Sequence, residues 1–387
     1  MVVFKRLIRP VLAAGLGLAL TAGMAVQPAA AAPASSAADR AASSYAALKK
    51  YFGTSNGLLL EQYPNATTNN PYSYVWPYSQ ATIGALNLAG IPGRGYAYDA
   101  EAKARIAGYA PYWNAGTTPP GYDSYVRPPL GQGGDKFYDD NEWIGLSLIQ
   151  NFKSTGNRAS LARAAQTFQL VTHGWDTDTT HPCAGGVFWT QAPWSQDRNT
   201  VSNGPGAELG LHLYLLTGKK SYLDWAKRMY DWANGCLLAP NGLYWDHIDL
   251  AGTIEKTQWS YNQGVMLGAS TLLYVATHDP KYLRSARSIA SAALAFYQSG
   301  KGFTGQPAEF NSIFFKNLLI LDAVHPDPSY RAAMAGYADQ VWTTYRDPAT
   351  GLFHFDPTQP VTLLQQGSMV QTYALLAWPR AAYLKLA

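Results

Sequence analysis

Two adjacent carboxylates, Asp139 and Asp140, stand in the segment FYDDNEW (137–143), between Tyr138 and Trp143. Cleavage of a glycosidic bond needs two carboxyl groups: one protonates the leaving oxygen, and the other attacks the sugar or activates water. Like charges in close contact also raise the pKa of one partner, which keeps one acid protonated near neutral pH. Neighbouring acids reach the short spacing of retaining enzymes more readily than the wide spacing of inverting ones. The pair is therefore a candidate catalytic couple.

A structural interpretation of the same segment stands beside the catalytic one. Asp is common at helix N-termini, and Asp139 with Glu142 three residues later resembles a capping box. The pair lies where a loop becomes a helix, so the backbone changes direction and both side chains can border one small space. The flanking aromatic residues and the polar loops described below favour catalysis.

Helical hairpins are the elements that must position the pair. Hydrophobic periodicity of the helical kind recurs along the chain, and turns rich in Gly, Asp and Pro follow near residues 156, 218, 279 and 327. The pattern predicts twelve helices, near 38–52, 75–89, 97–109, 140–153, 158–173, 203–217, 220–234, 262–276, 280–298, 308–323, 328–345 and 368–384. Six such hairpins predict an all-α fold, an (α/α)6 barrel whose more apolar, even-numbered helices form the inner ring.

The loops that enter the even-numbered helices are polar and aromatic. They read YSYVWPYSQ (72–80), GGDKFYDDNEW (133–143), WSQDRNTVSN (194–203), KTQWSYNQG (256–264), GQPAEFNS (305–312) and LLQQGSMVQ (363–371). Parallel inner helices would bring all six loops to one mouth of the ring, as in a cleft for a sugar chain.

The N-terminal segment has the pattern of a secretory signal peptide. Lys5, Arg6 and Arg9 precede an apolar run, and small residues end near Ala31. We therefore expect residues 1–31 to be removed and 32–387 to form one catalytic domain, exported, monomeric and without a membrane anchor. Cys183 and Cys236 could form a disulfide after export or remain buried thiols, and the sequence leaves both possibilities open.

Composition indicates a neutral partner. The whole chain carries a net charge of +4, which falls to +1 without the three basic residues of the leader, so nothing favours nucleic acid. Twelve Trp and 26 Tyr suit stacking on sugar rings. The histidines show no spacing typical of metal ligands, and a lone histidine such as His247 is more often structural, so no metal or other cofactor is expected.

The chain resembles glycoside hydrolase family 76, the endo-α-1,6-mannanases. The resemblance rests on FYDDNEW and on four further blocks: CAGGVFWTQ (183–191), NTVSNGPGAELGLHLYLLTG (199–218), GLYWDHID (242–249) and QWSYNQGVMLGA (258–269). It implies an (α/α)6 barrel and retaining hydrolysis of α-1,6-linked mannan, with Asp139 as nucleophile and Asp140 as general acid/base. The matching blocks imply substrate binding by Trp189, Asp246, Tyr261, Asn262 and Gln263. Trp76, Trp194 and Trp259 are weaker candidates.

Three alternatives remain open at this stage. A non-catalytic glycan-binding toroid would share the fold, and a hydrolase or lyase of another polysaccharide would share the cleft. Lyases of uronide chains call for a basic cleft, whereas the rim loops offer only Lys136, Arg198 and Lys256. An isoprenoid synthase would need a second metal-binding motif beside DDNE, and the sequence has none.

Overall fold

A computed structural model describes residues 35–65, 70–300 and 302–387. The predicted signal peptide, residues 1–31, lies outside this part of the chain. Twelve α-helices occupy it: α1 Ala37–Phe52, α2 Val75–Ala89, α3 Asp99–Ala107, α4 Tyr138–Thr155, α5 Arg158–His173, α6 Thr200–Thr217, α7 Lys220–Cys236, α8 Ser260–Thr277, α9 Pro280–Tyr297, α10 Ala308–Val324, α11 Pro328–Thr344 and α12 Leu363–Leu376. The predicted number of helices is thus confirmed for the described residues.

A few residues determine the shape of the turns that connect the two helices of each hairpin. Gly156 and Gly218 end α4 and α6 with positive φ angles of 71°, a conformation that costs glycine little. On the other side of the turns, the side chains of Asn157, Asp279 and Asp327 accept hydrogen bonds from the first backbone N–H groups of α5, α9 and α11. These short turns force each pair of helices to run antiparallel.

The even-numbered helices form a closed inner ring. Helix α2 packs on α4, α4 on α6, α6 on α8, α8 on α10, α10 on α12, and α12 returns to α2. Nearly every residue of these helices is buried, whereas the odd-numbered helices bury one face only and cover the ring from outside. The arrangement confirms the predicted (α/α)6 barrel, and it makes all six inner helices begin at the same end of the ring.

Short strands tie the loops together at that end. Strand β1 (Gln62–Tyr63) pairs with β7 (Val361–Thr362), and β2 (Trp113–Asn114) pairs with β3 (Gly121–Tyr122). A third sheet contains β4 (Asp197–Asn199), β5 (His247–Asp249) and β6 (Ile254–Glu255), all antiparallel, with Asn199 opposite His247. This third sheet holds the loops before α6 and α8 side by side.

Helix boundaries differ from the sequence prediction at two points that matter. Helix α4 begins at Tyr138, so Asp139 and Asp140 lie inside its first turn and not before it. The last helix was predicted at 368–384, but α12 begins at Leu363, where Thr362 and Gln365 form a capping box, and ends at Leu376. Pro379 then stops the α-helical hydrogen bonding, and a 3₁₀ helix follows at Arg380–Lys385.

Cys183 and Cys236 form a disulfide, with their Cα atoms 6.0 Å apart. The bond joins the loop after α5 to the last residue of α7. Residues 35–387 cluster into one compact unit. Among the described residues, no helix combines the length and the hydropathy that crossing a bilayer requires.

Candidate active site

The N-terminal ends of all six inner helices meet at one cleft of about 640 Å³. As the sequence predicted, each of the six polar, aromatic loops contributes to it. Its lining residues are Glu61, Tyr74, Trp76, Pro77, Ser124, Phe137, Asp139, Asp140, Trp189, Asp197, Asn199, Val201, Asp246, His247, Tyr261, Phe310 and Leu364. Five of these residues are carboxylic acids and none is Lys or Arg, so the described part of the cleft is acidic.

Asp139 and Asp140 project from the first turn of α4 into this cleft. The start of α4 is fixed by its neighbours, because the N–H of Tyr138 donates to the carbonyl of Trp189 at 2.9 Å. One turn further, the side chain of Asn141 bonds both backbone groups of Tyr122, so the helix cannot rotate about its axis. The aspartates are therefore held side by side at the floor of the cleft.

The two carboxyl groups differ in their affinity for a proton. Burial raises the pKa of Asp139 to about 7, although the backbone N–H of Asp140 and the side chain of Trp189 act in the opposite direction. Burial and the neighbouring Asp139 carboxyl hold the pKa of Asp140 well above its usual value. Near neutral pH, Asp139 is thus the member that ionises and Asp140 the member that keeps its proton.

Below the pair, Glu142 is fully buried on the same face of α4. Its carboxyl oxygens make no hydrogen bond of normal geometry with any described residue. Space for the carboxyl exists because Gly206 of α6 has no side chain: a Cβ there would lie 2.8 Å from Oε1 of Glu142. Burial, together with the carboxyls of Asp139 and Glu208, holds the pKa of Glu142 well above its usual value and so favours its protonated form.

Aromatic rings form two walls of the cleft. On one side, Trp189 meets Phe137 edge to face at 5.0 Å between ring centroids, and Trp194 lies 6.2 Å from both. On the other side, the rings of Tyr261 and Phe310 are stacked at 3.9 Å, and Trp76 and Trp259 pack against Phe310. Flat apolar surfaces next to carboxylates are what a sugar ring with its hydroxyl groups requires.

Asp246 lies in the cleft with both carboxylate oxygens engaged. Oδ1 accepts a hydrogen bond at 3.0 Å from Nδ2 of Asn262, a fully buried residue of α8. Oδ2 lies 2.9 Å from Nδ1 of His247. The sequence predicted Asp246 and Asn262 as ligands of the substrate, and the structure brings them together as a pair in which Asn262 supports Asp246 from behind.

Gln263 is also fully buried, but its side-chain amide forms hydrogen bonds with backbone groups of the protein. Oε1 accepts from the N–H of Tyr244 at 2.7 Å, and Nε2 donates to the carbonyls of Tyr244 and Trp259. Gln263 is not among the residues that line the cleft. Its contacts fix the loop that carries Asp246, whereas the other predicted ligands Trp189 and Tyr261 face the cleft directly.

Several cleft residues were missed by sequence reasoning. Asp197 and Asn199 stand in a loop that the sequence marked as rich in polar groups, and Phe310 stands in another, so loop membership was the available signal. His247 was interpreted as structural because it is a lone histidine. Glu61 had no signal of this kind; burial raises its pKa to about 7, and its Oε2 accepts from the N–H of Tyr74.

Among the described residues, no group of three or more His, Cys, Asp or Glu side chains is placed to hold a metal ion. Glu61 lies in the loop before α2, Asp139 and Asp140 lie in the first turn of α4, and Asp197 and Asp246 lie in the loops before α6 and α8. Asp246 is occupied by His247 and Asn262. Carboxyl groups placed in this way can perform proton transfer and nucleophilic attack.

The model of glycosyl hydrolase family 76 matches residues 35–351. Mannan endo-1,6-alpha-mannosidase DCW1 of Candida albicans is 32% identical over 195 residues, which are 46% of this chain and 42% of the relative. The corresponding DFG5 protein of Saccharomyces cerevisiae is 28% identical over 216 residues, 49% of this chain and 46% of the relative. The chain thus spans less than half the length of these curated relatives.

Solved structures share the fold over almost their whole length. The family 76 mannosidase Bt3792 of Bacteroides thetaiotaomicron superposes with a TM-score of 0.78 at 26% identity, covering 88% of this chain and 98% of that one. An inactive variant of the alpha-1,6-mannanase GH76A of Salegentibacter, in complex with alpha-1,6-mannotriose, superposes with a TM-score of 0.72 at 23% identity, covering 88% and 99%. At 23% identity, the similarity to the Salegentibacter structure concerns the fold alone.

Proposed function

Because the chain belongs to glycosyl hydrolase family 76, we propose that it cleaves α-1,6-linked mannan chains by a retaining mechanism in which Asp139 and Asp140 act together. The observation that carries the proposal is the pair itself: two adjacent carboxyls that both line an aromatic-walled cleft, where burial raises the pKa of Asp139 to about 7 and holds that of Asp140 well above its usual value. Retaining hydrolysis requires a difference in protonation between its two acids.

In the proposed mechanism, Asp140 gives its proton to the glycosidic oxygen while the Asp139 carboxylate attacks the anomeric carbon. The bond to the leaving sugar breaks, and an ester joins Asp139 to the remaining sugar. Asp140, now ionised, then takes a proton from water, whose oxygen displaces Asp139 from the anomeric carbon. The two steps restore both carboxyl groups to their starting states, and each step inverts the anomeric centre, so the configuration is retained.

A neutral sugar chain suits the surface of the cleft better than a charged one. Lys136 and Arg198, two of the three cations of the rim loops, are buried in ion pairs with Asp123 and Asp176. An anionic polysaccharide would meet five acids without a lysine or arginine in the described lining. The names of the curated relatives specify endo-1,6-alpha-mannosidases, which supports an α-1,6-mannan as the substrate.

Two further parts of the proposal concern where the substrate lies and how far it extends in the cleft. The leader pattern of residues 1–31 supports export of the protein, so we place its substrate outside the cell. The aromatic walls on both sides of Asp139 support a chain that continues past the cleaved bond in both directions, as an internally cleaving enzyme requires.

Incubation with linear α-1,6-mannan tests the proposal. We expect short manno-oligosaccharides, and ¹H NMR of the first products should show the α-anomer before mutarotation. An initial β-anomer would refute the retaining mechanism, and turnover of polygalacturonate but not mannan would refute the substrate. Binding of mannan without turnover at any pH would favour a non-catalytic glycan-binding protein.

A further inference from the structure

His247 completes a chain of three side chains that runs from the barrel wall into the cleft. Asn262 donates to Asp246 at 3.0 Å, and Asp246 lies 2.9 Å from Nδ1 of His247. The backbone beneath is fixed as well, because the carbonyl of Asp246 accepts from Thr200 and its N–H donates to Glu255. An imidazole anchored in this way has one orientation, as imidazoles held by a carboxylate do in metal sites and hydrolases.

The anchoring decides which ring nitrogen is available. Nδ1 carries a proton and donates it to Asp246, so Nε2 is the nitrogen left for another partner. Nε2 has no hydrogen bond to any described residue, and it is not among the buried polar atoms that lack a partner. The side chain is 30% exposed and lines the cleft. Nε2 is therefore accessible to a ligand bound there.

Charged groups surround His247 on every strand that packs against it. Asp246 is its neighbour in the chain, immediately before β5, Asp197 approaches from β4, and Glu255 approaches from β6. The hydrogen bond to Asp246 is the largest effect, and together these acids raise the pKa of His247 above its usual value, against the effect of burial. Lys256 lies over the ring of Trp245. The protonated imidazole, whose Nε2 carries a proton that it can donate, thus persists to higher pH than in an ordinary histidine.

The same acids connect His247 to the reaction centre. Asp197 raises the pKa of Asp139, and Asp246 and Asp139 both act on the phenol of Tyr261. Asp139, Asp197 and Asp246 therefore border one small part of the cleft. A donor at Nε2 would be the complement of these acceptors, since each sugar hydroxyl offers both a proton and lone pairs.

We propose that His247 is a substrate-binding residue whose cationic Nε2–H donates a hydrogen bond to a hydroxyl group of the sugar held beside Asp139. The inference rests on the function proposed above and extends it to a residue that the sequence interpretation had assigned to structure. It makes binding depend on pH: as the pH rises through the pKa of His247, Nε2 loses its proton, becomes an acceptor, and the affinity for substrate falls.

The test compares His247→Gln with wild-type enzyme on linear α-1,6-mannan, with kcat and KM measured separately from about pH 5 to about pH 9. We expect the wild-type KM to rise about tenfold with pH, since charge-assisted hydrogen bonds are about twice as strong as neutral ones. His247→Gln should show the raised KM throughout and no such pH dependence, while kcat keeps the pH dependence that the aspartates give it.

His181 provides the matched control. Its Nδ1 lies 2.9 Å from Oδ2 of Asp176, the same geometry as in the His247–Asp246 pair, but His181 is not a lining residue of the cleft. We expect His181→Gln to leave KM and its pH dependence unchanged. In Asp246→Asn, which removes the main cause of the raised pKa, the change in KM should move to lower pH.

The outcomes separate the two proposals. If the wild type cleaves mannan but its KM does not depend on pH, or if His247→Gln keeps the wild-type dependence, the role of His247 is refuted and the proposed function stands. If His181→Gln changed KM equally, the effect of His247→Gln would reflect a general loss of stability, and the role of His247 would also be refuted. Absence of mannan cleavage by the wild type overturns both.

Discussion

Glu142 lies one helical turn from Asp139 on α4, fully buried, and its carboxyl makes no hydrogen bond of normal geometry with the described residues. An ionised carboxylate in this position would face Asp139 and Glu208 without a cation of its own. The folded protein avoids that cost by keeping Glu142 protonated. A protonated acid beneath Asp139 leaves the negative charge at this part of the cleft to Asp139.

Replacement of Glu142 by Gln should stabilise the protein at alkaline pH. The folded pKa of Glu142 lies above the ordinary value of 4.5, so the folded state binds a proton that the unfolded state has released, and stability falls as the pH rises between the two pKa values. The slope is about 1.4 kcal/mol per pH unit. Glu142→Gln removes this loss because its amide never ionises.

Urea unfolding from about pH 4 to about pH 9 measures the effect. The difference in unfolding free energy between Glu142→Gln and wild type should be small at the acidic end and should grow with pH in favour of the variant. Glu255 is an exposed control, and Glu255→Gln should show no comparable trend. A constant difference across the pH range would contradict a protonated Glu142.

Asp139→Asn and Asp140→Asn should each lower kcat by at least about 1,000-fold while the fold and the binding of manno-oligosaccharides persist. The amides preserve shape, but an amide at position 139 cannot attack the anomeric carbon, and an amide at position 140 cannot give a proton to the leaving oxygen. Single-turnover kinetics and calorimetric titration with α-1,6-mannotriose check both halves of the expectation. Activity close to wild type in either variant would remove the pair from the mechanism.

The pH profile of kcat/KM should show the different protonation of the pair. In the proposed mechanism Asp139 must be ionised, so kcat/KM, which reports the free enzyme, falls as the pH drops through the pKa of about 7. Asp140 must be protonated, so kcat/KM falls again at more alkaline pH. Asp197 raises the pKa of Asp139. Asp197→Asn should therefore move the acidic limb to lower pH, and an unchanged limb would show that another group controls it.

Trp189→Ala should raise KM more than it changes kcat. The indole is 37% exposed in the aromatic wall next to Phe137, and the loss of one stacking contact of about 1 kcal/mol corresponds to about fivefold in KM. Trp189→Phe should recover most of the loss. Tyr96, exposed and not part of the cleft lining, is the control, and Tyr96→Ala with the same KM effect would exclude stacking as the cause.

The fold was predictable because the helices carry their own signals. The inner helices are apolar all round and the outer ones amphipathic, and Asn157, Asp279 and Asp327 mark where outer helices begin. The place of Asp139 and Asp140 in the cleft was predictable because two adjacent acids at the start of a helix can be recognised from the sequence alone. The start of α4 itself was predicted two residues late, since nothing in the sequence indicates that Tyr138 bonds to the carbonyl of Trp189.

The rest of the site depends on contacts between distant segments. His247 meets Asp197 only through the pairing of β4 with β5, strands of three residues each, which are too short for a periodic signal. Phe310 joins the cleft by stacking on Tyr261 across two helices. Gln263 was expected to bind substrate because it stands in a block that resembles the family, but the backbone groups of Tyr244 and Trp259 occupy its amide.

Removal of the disulfide by Cys183→Ser and Cys236→Ser should lower both stability and affinity. The two cysteines are 53 residues apart in the chain, and loss of a bond that closes such a loop costs about 2–4 kcal/mol in unfolding free energy. The disulfide also anchors one end of the loop that begins at Cys183. The carbonyl of Cys183 accepts hydrogen bonds from the indole N–H of Trp232 and from the guanidinium of Arg198. That loop continues to Trp189, so KM should rise more than kcat changes.

Oxidised and reduced wild-type protein provide the matched comparison, because reduction breaks the same bond without a substitution. Thermal unfolding and mannan kinetics of the reduced wild type should coincide with those of the double variant. Arg198 would still bind Asp176 and the carbonyls of Pro182, Gly185 and Asp249 in both, so the loop should loosen without unfolding and kcat should survive. A fall in kcat as large as that of Asp139→Asn would mean that the disulfide positions the catalytic pair itself, and not only the aromatic wall beside it.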